Sequence, residues 1–265
     1  MNKQFYKDSL KMLFPIILQN IFAAMMGSVD VIMLNSVGHD AIGAGSLANQ
    51  YSGLVFMFYS GISSGSILLA AQYFGKKDFK ALEAIEGIAL KCSLAVAVAF
   101  SVGASLFPEK LMRVYTADPV LISEGAEYLR IIWVFYLLWA VSNTYFSMLR
   151  SANHVSVATF FNGVGFFLNI ILNAVFIFGF FGIEKMGIRG VALATCISQA
   201  VCVAGCFIVS ARSKDIKLKF SYMFIKSSSL AKDFFKMSLP ALLNDVSWGA
   251  AFSAYVAIMG RLGSD

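Results

Sequence analysis

Charge is what this sequence has least of. Only 14% of its 265 residues are Asp, Glu, Lys or Arg, whereas 58% are hydrophobic, and the mean hydropathy is +0.74. Soluble domains carry roughly a quarter charged residues, so an ordinary water-soluble globule is excluded. Histidine is sparse as well. His39 and His154 stand far apart at loop positions, which leaves no pair for acid–base or zinc chemistry. The four cysteines, Cys92, Cys196, Cys202 and Cys206, fall inside apolar stretches without CxxC spacing. They read as small packing residues rather than disulfide partners or metal ligands. Neither a GxxxxGK[ST] phosphate loop nor an HExxH zinc motif occurs, so nothing here binds ATP or a catalytic metal in those ways. The chain is expected to be no enzyme, and to need no cofactor and no obligate protein partner.

What is present is apolar and long. Seven segments approach the roughly 20 residues that cross a bilayer: about 12–34, 44–70, 84–107, 124–148, 156–180, 188–211 and 236–260. Hydrocarbon offers backbone groups no water to pair with, so these segments should be helices rather than open strands. The expected fold is an all-α integral membrane protein: a six-helix transmembrane bundle plus a seventh helix. The first span is too long for a removable signal peptide and is read as retained.

Basic residues alternate between the connections. Lys3, Lys7 and Lys11 precede span one, Lys76, Lys77 and Lys80 follow span two, and Arg150 follows span four. Arg212, Lys214, Lys217, Lys219, Lys226 and Lys232 crowd the connection after span six. The intervening connections hold only Lys110, Arg113, Lys185 and Arg189, mixed with Glu109, Asp118 and Glu184. Positive loops stay inside, so the N-terminus is expected to be cytoplasmic in a cell membrane, plasma or inner. The net charge of +6 is this asymmetry summed. Such loops suit the anionic leaflet of a lipid bilayer, and no nucleic-acid partner is expected.

The end of the chain repeats its beginning. Lys11-Met12-Leu13-Phe14-Pro15-Ile16 is answered by Lys236-Met237-Ser238-Leu239-Pro240-Ala241, and Val31-Ile32-Met33 by Val256-Ala257-Ile258, at a constant offset of 225. One apolar, Pro-started helix is thus used twice, the layout of a duplicated membrane transporter. The expected division is a six-helix lobe over 1–211, a cytoplasmic linker over 212–235, and the first helix of a truncated second lobe over 236–265. On this reading the chain is a fragment, and its last helix either docks on the first bundle or stays loose. Gly61 and Gly65 in span two form a GxxxG of the kind that lets membrane helices approach closely.

A few polar residues sit where lipid should forbid them. Asp30 lies in Gly27-Ser28-Val29-Asp30-Val31-Ile32 with no basic residue nearby. An Asp at a helix centre costs about 2.5–3.5 kcal/mol on insertion scales, so it should face protein or a wet cavity. Asn20, Ala23, Gly27 and Asp30 recur at helical spacing and make one small, polar stripe. Desolvation penalises the charged form of a carboxyl group, so such an Asp could hold and release a proton. The plainer reading is a solvated Asp near the outer interface.

In span five, Asn162, Phe166, Asn169 and Asn173 share a face. Their carbonyl oxygens could coordinate a hard cation together with Asp30, or the amides could simply join helices at about 0.6 kcal/mol each. Span six adds Thr195, Ser198, Gln199 and Cys202, where hydroxyls often bond their own helix carbonyls. Asp30, Asn169, Asn173 and Thr195 form the candidate ion-coupling set. Asn20, Gln50, Asn143, Asn162 and Gln199 are expected to line a substrate cavity, and Asn49, Ser52, Thr144 and Ser147 are further polar candidates there.

With these residues in view, the chain resembles the multidrug and toxic compound extrusion (MATE) family. The resemblance is carried by Pro15, Val29-Asp30 with Met33 and Gly38, and Gln72-Tyr73-Phe74-Gly75-Lys76-Lys77-Asp78. Met148-Leu149-Arg150-Ser151-Ala152-Asn153, Asn169-Ile170-Ile171-Leu172-Asn173 and Gly190-Val191-Ala192-Leu193-Ala194-Thr195 extend it along nearly the whole chain. It implies one lobe of a twelve-helix secondary antiporter that exports small organic cations in exchange for H⁺ or Na⁺. It also implies that Asp30 is the ion-coupling residue and that Asn169 and Asn173 line its site. Many family members carry Asp where this chain has Asn173, so the family pattern here favours a proton over a tightly held Na⁺. A flippase for lipid-linked oligosaccharide is the alternative of related fold. It should carry inward-facing Arg or Lys for phosphates, and here only Lys91 and Arg130 stand near span ends.

Overall fold

Long apolar runs satisfy their backbone in lipid only as helices. The computed structural model, which describes residues 3–213 and 215–262, is built of them and has no strand among those residues. In chain order they are α1 (Lys3–Leu34), α2 (His39–Gly75), α3 (Phe79–Leu106), α4 (Pro108–Tyr115), α5 (Pro119–Ser151), α6 (Val155–Phe178), α7 (Gly187–Arg212) and α8 (Ser228–Leu262). Single 3₁₀ turns occupy Phe180–Gly182 and Phe220–Phe224. Lys214 and the Gly263-Ser264-Asp265 end of the repeat lie outside the described residues.

Local chemistry marks the helix ends. The Asp78 side chain accepts from the Ala81 N–H at 3.1 Å to start α3. Asp118 accepts from the Val120 N–H at 2.8 Å ahead of Pro119, which suits the first helical position because it has no N–H to satisfy. Gly179 ends α6 at φ 77°, a left-handed conformation costly for any residue with a Cβ.

Six of these helices, α1, α2, α3, α5, α6 and α7, are long and apolar enough to cross a membrane. The seventh expected span does form a helix, α8, but it is not among them. Lys232, Asp233, Lys236, Asn244 and Asp245 dilute its apolar content. The prolines are also placed differently from expectation. Pro15 and Pro240 do not begin their helices but sit inside α1 and α8. A proline in a helix removes one intrahelical bond and clashes one turn back, a cost that neighbouring helices can absorb. Between spans three and four, where only a connection was expected, α4 anchors itself by burying Met112 and Tyr115.

α5 is the central helix, contributing to both apolar clusters. One cluster joins Tyr51, Ala97, Met112, Tyr128, Tyr136 and Val191. The other joins Leu69, Ile85, Leu90, Tyr145, Met148 and Phe234 at the opposite ends of these helices. Phe14, Ile32, Leu68, Phe160 and Ile171 point outward and are exposed, as a lipid-facing surface requires. The connection after α7 is tied down. Tyr222 donates to Glu83 Oε1 at 2.7 Å, the Leu218 N–H to Ser210 Oγ at 2.7 Å, and Tyr145 to the Ile216 carbonyl at 3.3 Å.

α8 docks on α2, along the GxxxG face. A Cβ on Gly61 would lie 2.5 Å from Leu242 Cα, and one on Gly65 would strike Ser238. Gly65→Ala should therefore destabilise the protein by about 1–3 kcal/mol, the usual scale of overpacking. The readout is a lower melting temperature in detergent. Gly53→Ala is the control, because a Cβ there meets nothing within 4 Å. Equal melting of the two variants would reject this account of the α2–α8 contact.

Candidate functional site

α1 meets α6 along their length. At one end Gln19, 8% exposed, donates to Thr159 Oγ1 at 2.6 Å and to the Val155 carbonyl at 3.3 Å. Midway, Phe22 stacks on Phe166 with centroids 5.2 Å apart. These contacts fix the rotation of α1, and that rotation turns Asp30 inward.

Asp30 is 5% exposed, and Asn169 and Asn173 have no exposure. Asn173 Nδ2 donates to Asp30 Oδ1 at 2.6 Å and to Asn169 Oδ1 at 3.2 Å. Asn169 Nδ2 donates to Thr195 Oγ1 at 3.1 Å, and the Thr195 hydroxyl donates to the Val191 carbonyl at 3.0 Å. The four candidate ion-coupling residues thus form one continuous chain across α1, α6 and α7. Both Nδ2 hydrogens of Asn173 are used, while its Oδ1 is buried without a partner among the described residues. The ion pairs among the described residues, Arg130–Glu109 and Arg189–Glu127, lie elsewhere. Asp30 has no counter-charge among the described residues, so its ionised form would rest on amide hydrogens. The carboxyl of Asp30 and the oxygens of Asn173, Asn169 and Thr195 are hard donors of the kind that hold a proton or a small hard cation.

Asp30 and Thr195 open onto a cavity of about 740 Å³ among α1, α2, α5, α6 and α7. That volume suits a drug-sized ligand. Asn20, Gln50, Asn143, Asn162 and Gln199 all lie on its wall. Asn143 donates to Ser63 Oγ at 2.7 Å and Gln199 to Ser142 Oγ at 2.5 Å. Asn49 and Ser52 also line the cavity, whereas Thr144 and Ser147 turn back to the Ala140 and Asn143 carbonyls of their own helix. An aromatic wall faces the amides: Trp139 stacks on Phe135 at 5.0 Å and on Phe56 at 5.7 Å.

Several residues were not singled out by the sequence. Tyr128 is buried beside Asp30 on the cavity wall and donates to Asn49 Oδ1 at 3.2 Å. Arg150 belongs to the last turn of α5 rather than to a loop, and it too lines the cavity. The shared face of Asn143, Phe146 and Arg150 is the signal that could have found it. Glu86 is a second buried carboxyl, 3% exposed on α3 and away from the cavity, with Oε1 unpartnered among the described residues. The string Gly61-Ile62-Ser63-Ser64-Gly65 spells the GxSxG of serine hydrolases. It lies inside α2 with Ser63 held by Asn143, not on the strand–turn–helix elbow that motif requires.

Six apolar spans, with a cavity among five of them and a carboxyl–amide chain whose Asp30 and Thr195 ends line it, define a polytopic membrane protein of transporter architecture. The chain belongs to the MatE family, whose model matches residues 15–175. It is 26% identical over 258 residues to the probable multidrug resistance protein YoeA of Bacillus subtilis, covering 96% of this chain and 56% of that protein. It is 22% identical over 250 residues to the uncharacterized transporter YisQ of the same organism, covering 93% and 55%. With the probable multidrug resistance protein NorM of Thermotoga maritima it shares 23% over 260 residues, covering 98% and 56%. The chain spans about half the length of the curated relatives it matches. A crystal structure of MATE in the bent conformation superposes with a TM-score of 0.82 at 20% identity, over 92% of this chain and 55% of that one. An inward-facing multidrug resistance MATE family transporter gives 0.78 at 19%, over 96% and 60%. At these identities the structures share the fold.

Proposed function

We propose that this chain forms the N-terminal, ion-coupling lobe of a secondary antiporter that exports small organic cations in exchange for H⁺ or Na⁺. The observation that carries the reading is the 2.6 Å contact of buried Asn173 with Asp30, which itself lines the cavity. On this reading the lobe spans 1–211, the linker 212–235, and 236–265 opens the second lobe, with the N-terminus cytoplasmic in a cell membrane. Substrate enters the cavity from the inner side, and Asp30 takes up the ion from the outside. A neutralised Asp30 loses its charge–amide bond to Asn173, so α1 repacks against α6 and the cavity changes shape. An ion can shift that equilibrium only by its differential affinity for the two states, so Asp30 must bind it more readily in one of them. Rocking of one lobe against the other carries the change across the membrane.

The Asn173 amide, in place of a second carboxyl, favours the proton as coupling ion. A flippase for lipid-linked oligosaccharide draws support from Arg150 alone, since no other basic side chain among the described residues lines the cavity. The test uses the full-length protein in proteoliposomes loaded with ethidium, with either a pH gradient or a Na⁺ gradient imposed. Efflux driven by the pH gradient and indifferent to Na⁺ is expected. Efflux that ignores both gradients would reject antiport.

A further inference from the structure

The connection between α7 and α8 carries seven basic and two acidic residues from Arg212 to Lys236, yet it turns back along the bundle instead of running out into water. α7 has 26 residues, about 39 Å at 1.5 Å per residue, against a hydrocarbon core of about 30 Å. Its last turn therefore stands in the headgroup layer. Beyond Arg212 the chain reverses. The Leu218 N–H donates to Ser210 Oγ at 2.7 Å, and the Phe220 ring meets the Phe207 ring with centroids 6.3 Å apart. From Ser210 to Phe207 is about 4.5 Å along the helix axis. Residues 218–220 thus descend beside Phe207 and Ile208, both exposed on the outer face of α7.

The segment shows one face to protein and one away from it. Ile216 and Leu218 are buried, while Lys217 and Lys219 are exposed, the two-residue alternation of an extended chain. Tyr222 is held by its bond to Glu83, and its carbonyl leaves no room for a Cβ on Gly87. That clamp fixes what points outward: Phe220, Phe224, Ile225 and Lys226 are all exposed. Phe224 is 81% exposed, and no large apolar side chain among the described residues is more so. Lys217, Lys219 and Lys226 take part in neither ion pair among those residues. Lys219 Nζ lies 5.7 Å from the Tyr222 ring centroid. A protein neighbour covering this face would have to bury Phe224 together with three unpaired ammonium groups. A headgroup layer takes both, because lysine stems lie along apolar surface while their heads reach phosphate, and aromatic rings settle at the acyl boundary.

We propose that the α7–α8 connection is an interfacial seat for anionic phospholipid: Lys217, Lys219 and Lys226 hold headgroup phosphates while Phe220 and Phe224 enter the acyl boundary. The lipid so held braces the joint between the first bundle and α8. The seat requires only that α7 crosses the membrane, and it is independent of antiport.

The experiment measures lipid binding to the full-length protein in detergent by native mass spectrometry, with phosphatidylglycerol and phosphatidylcholine as probes. Each lysine at such a surface is worth about fivefold in affinity, so wild type should hold phosphatidylglycerol at least about tenfold more tightly. Changing Lys217, Lys219 and Lys226 together to Gln should erase that preference without lowering the melting temperature in phosphatidylcholine, because these side chains are exposed. Changing the same three to Arg should keep it. Changing Lys110, Arg113 and Lys185, at the other end of the bundle, to Gln should also keep it; equal loss there would reduce the effect to net charge and overturn the proposal. Displacement of phosphatidylglycerol by inorganic phosphate would assign the lysines to a free anion and overturn it too. The depth of Phe224 is read with a fluorescent amino acid incorporated at position 224 of the protein in nanodiscs, using lipids brominated along the acyl chain. Quenching by these lipids is expected. Emission typical of water without quenching, or of a buried site without quenching, would give this face to solvent or to a protein neighbour and sink the lipid seat.

Discussion

Asp30→Asn is expected to abolish gradient-driven efflux by the full-length protein while leaving the fold in place. The substitution is isosteric. An amide oxygen at position 30 still accepts from Asn173 Nδ2, and the new NH₂ places donors beside Asn173, whose Oδ1 lacks one. Replacing a buried, uncompensated carboxyl by a neutral amide removes a desolvation cost. The melting temperature of Asp30→Asn should therefore equal or exceed that of wild type. Coupling should nonetheless fall by at least about tenfold, the factor that ~1.4 kcal/mol of differential protonation between two states represents. The measurement is ethidium efflux under a fixed pH gradient, with binding at equilibrium as the control for cavity integrity. Wild-type coupling in this variant would remove Asp30 from the mechanism.

Asn173→Asp should convert the site. The Asn173 amide now lies 2.6 Å from Asp30 Oδ1, so a carboxylate in its place puts two negative charges in contact. At about 3 Å and an effective dielectric near 20, their repulsion is of order 5 kcal/mol. A shared proton or a bound cation relieves it, as in other paired carboxylates. Oxygens of both acids, with those of Asn169 and Thr195 next along the same chain, are the donor type a small hard cation prefers. The variant is expected to melt earlier than wild type in choline chloride and to recover in NaCl. The recovery should approach about 2.7 kcal/mol when Na⁺ reaches a hundred times its Kd. Wild type should show no such recovery. Thermal melts at constant ionic strength and pH check both halves, and a wild type that responds to Na⁺ as the variant does would show that Asn173 does not decide the ion.

Much of the site was legible before any coordinates. Spacing of three and four residues put Asn162, Asn169 and Asn173 on one face of α6, and the cost of a lone Asp in lipid marked Asp30. The reason is that a lipid-embedded helix has few ways to carry polar groups, so each is informative. Other features depended on neighbours. Pro15 and Pro240 read as helix starts because proline lacks an N–H, yet the helices continue through them where adjacent helices offset the loss. Arg150 was counted with the basic loops, since the end of α5 could not be placed to the residue, and its turn into the cavity follows from the tight α5–α6 connection. Glu86 passed unnoticed because a carboxyl near a span end is ordinarily solvated. Here the α7–α8 connection, tied by Tyr222 to Glu83, covers it.

The amino-acid sequence by itself determined that this chain is a bundle of membrane-crossing helices, because apolar length and backbone hydrogen bonding leave no other solution. It also determined which helix faces are polar, because helical periodicity is a property of the chain alone. Only the tertiary structure decided which polar faces meet. The chain from Asp30 through Asn173 and Asn169 to Thr195, and the cavity that Arg150 also lines, depend on how α1, α5, α6 and α7 rotate against one another. That rotation is set by packing at contacts such as Phe22 on Phe166, between residues whose distance apart in the sequence carries no periodic signal.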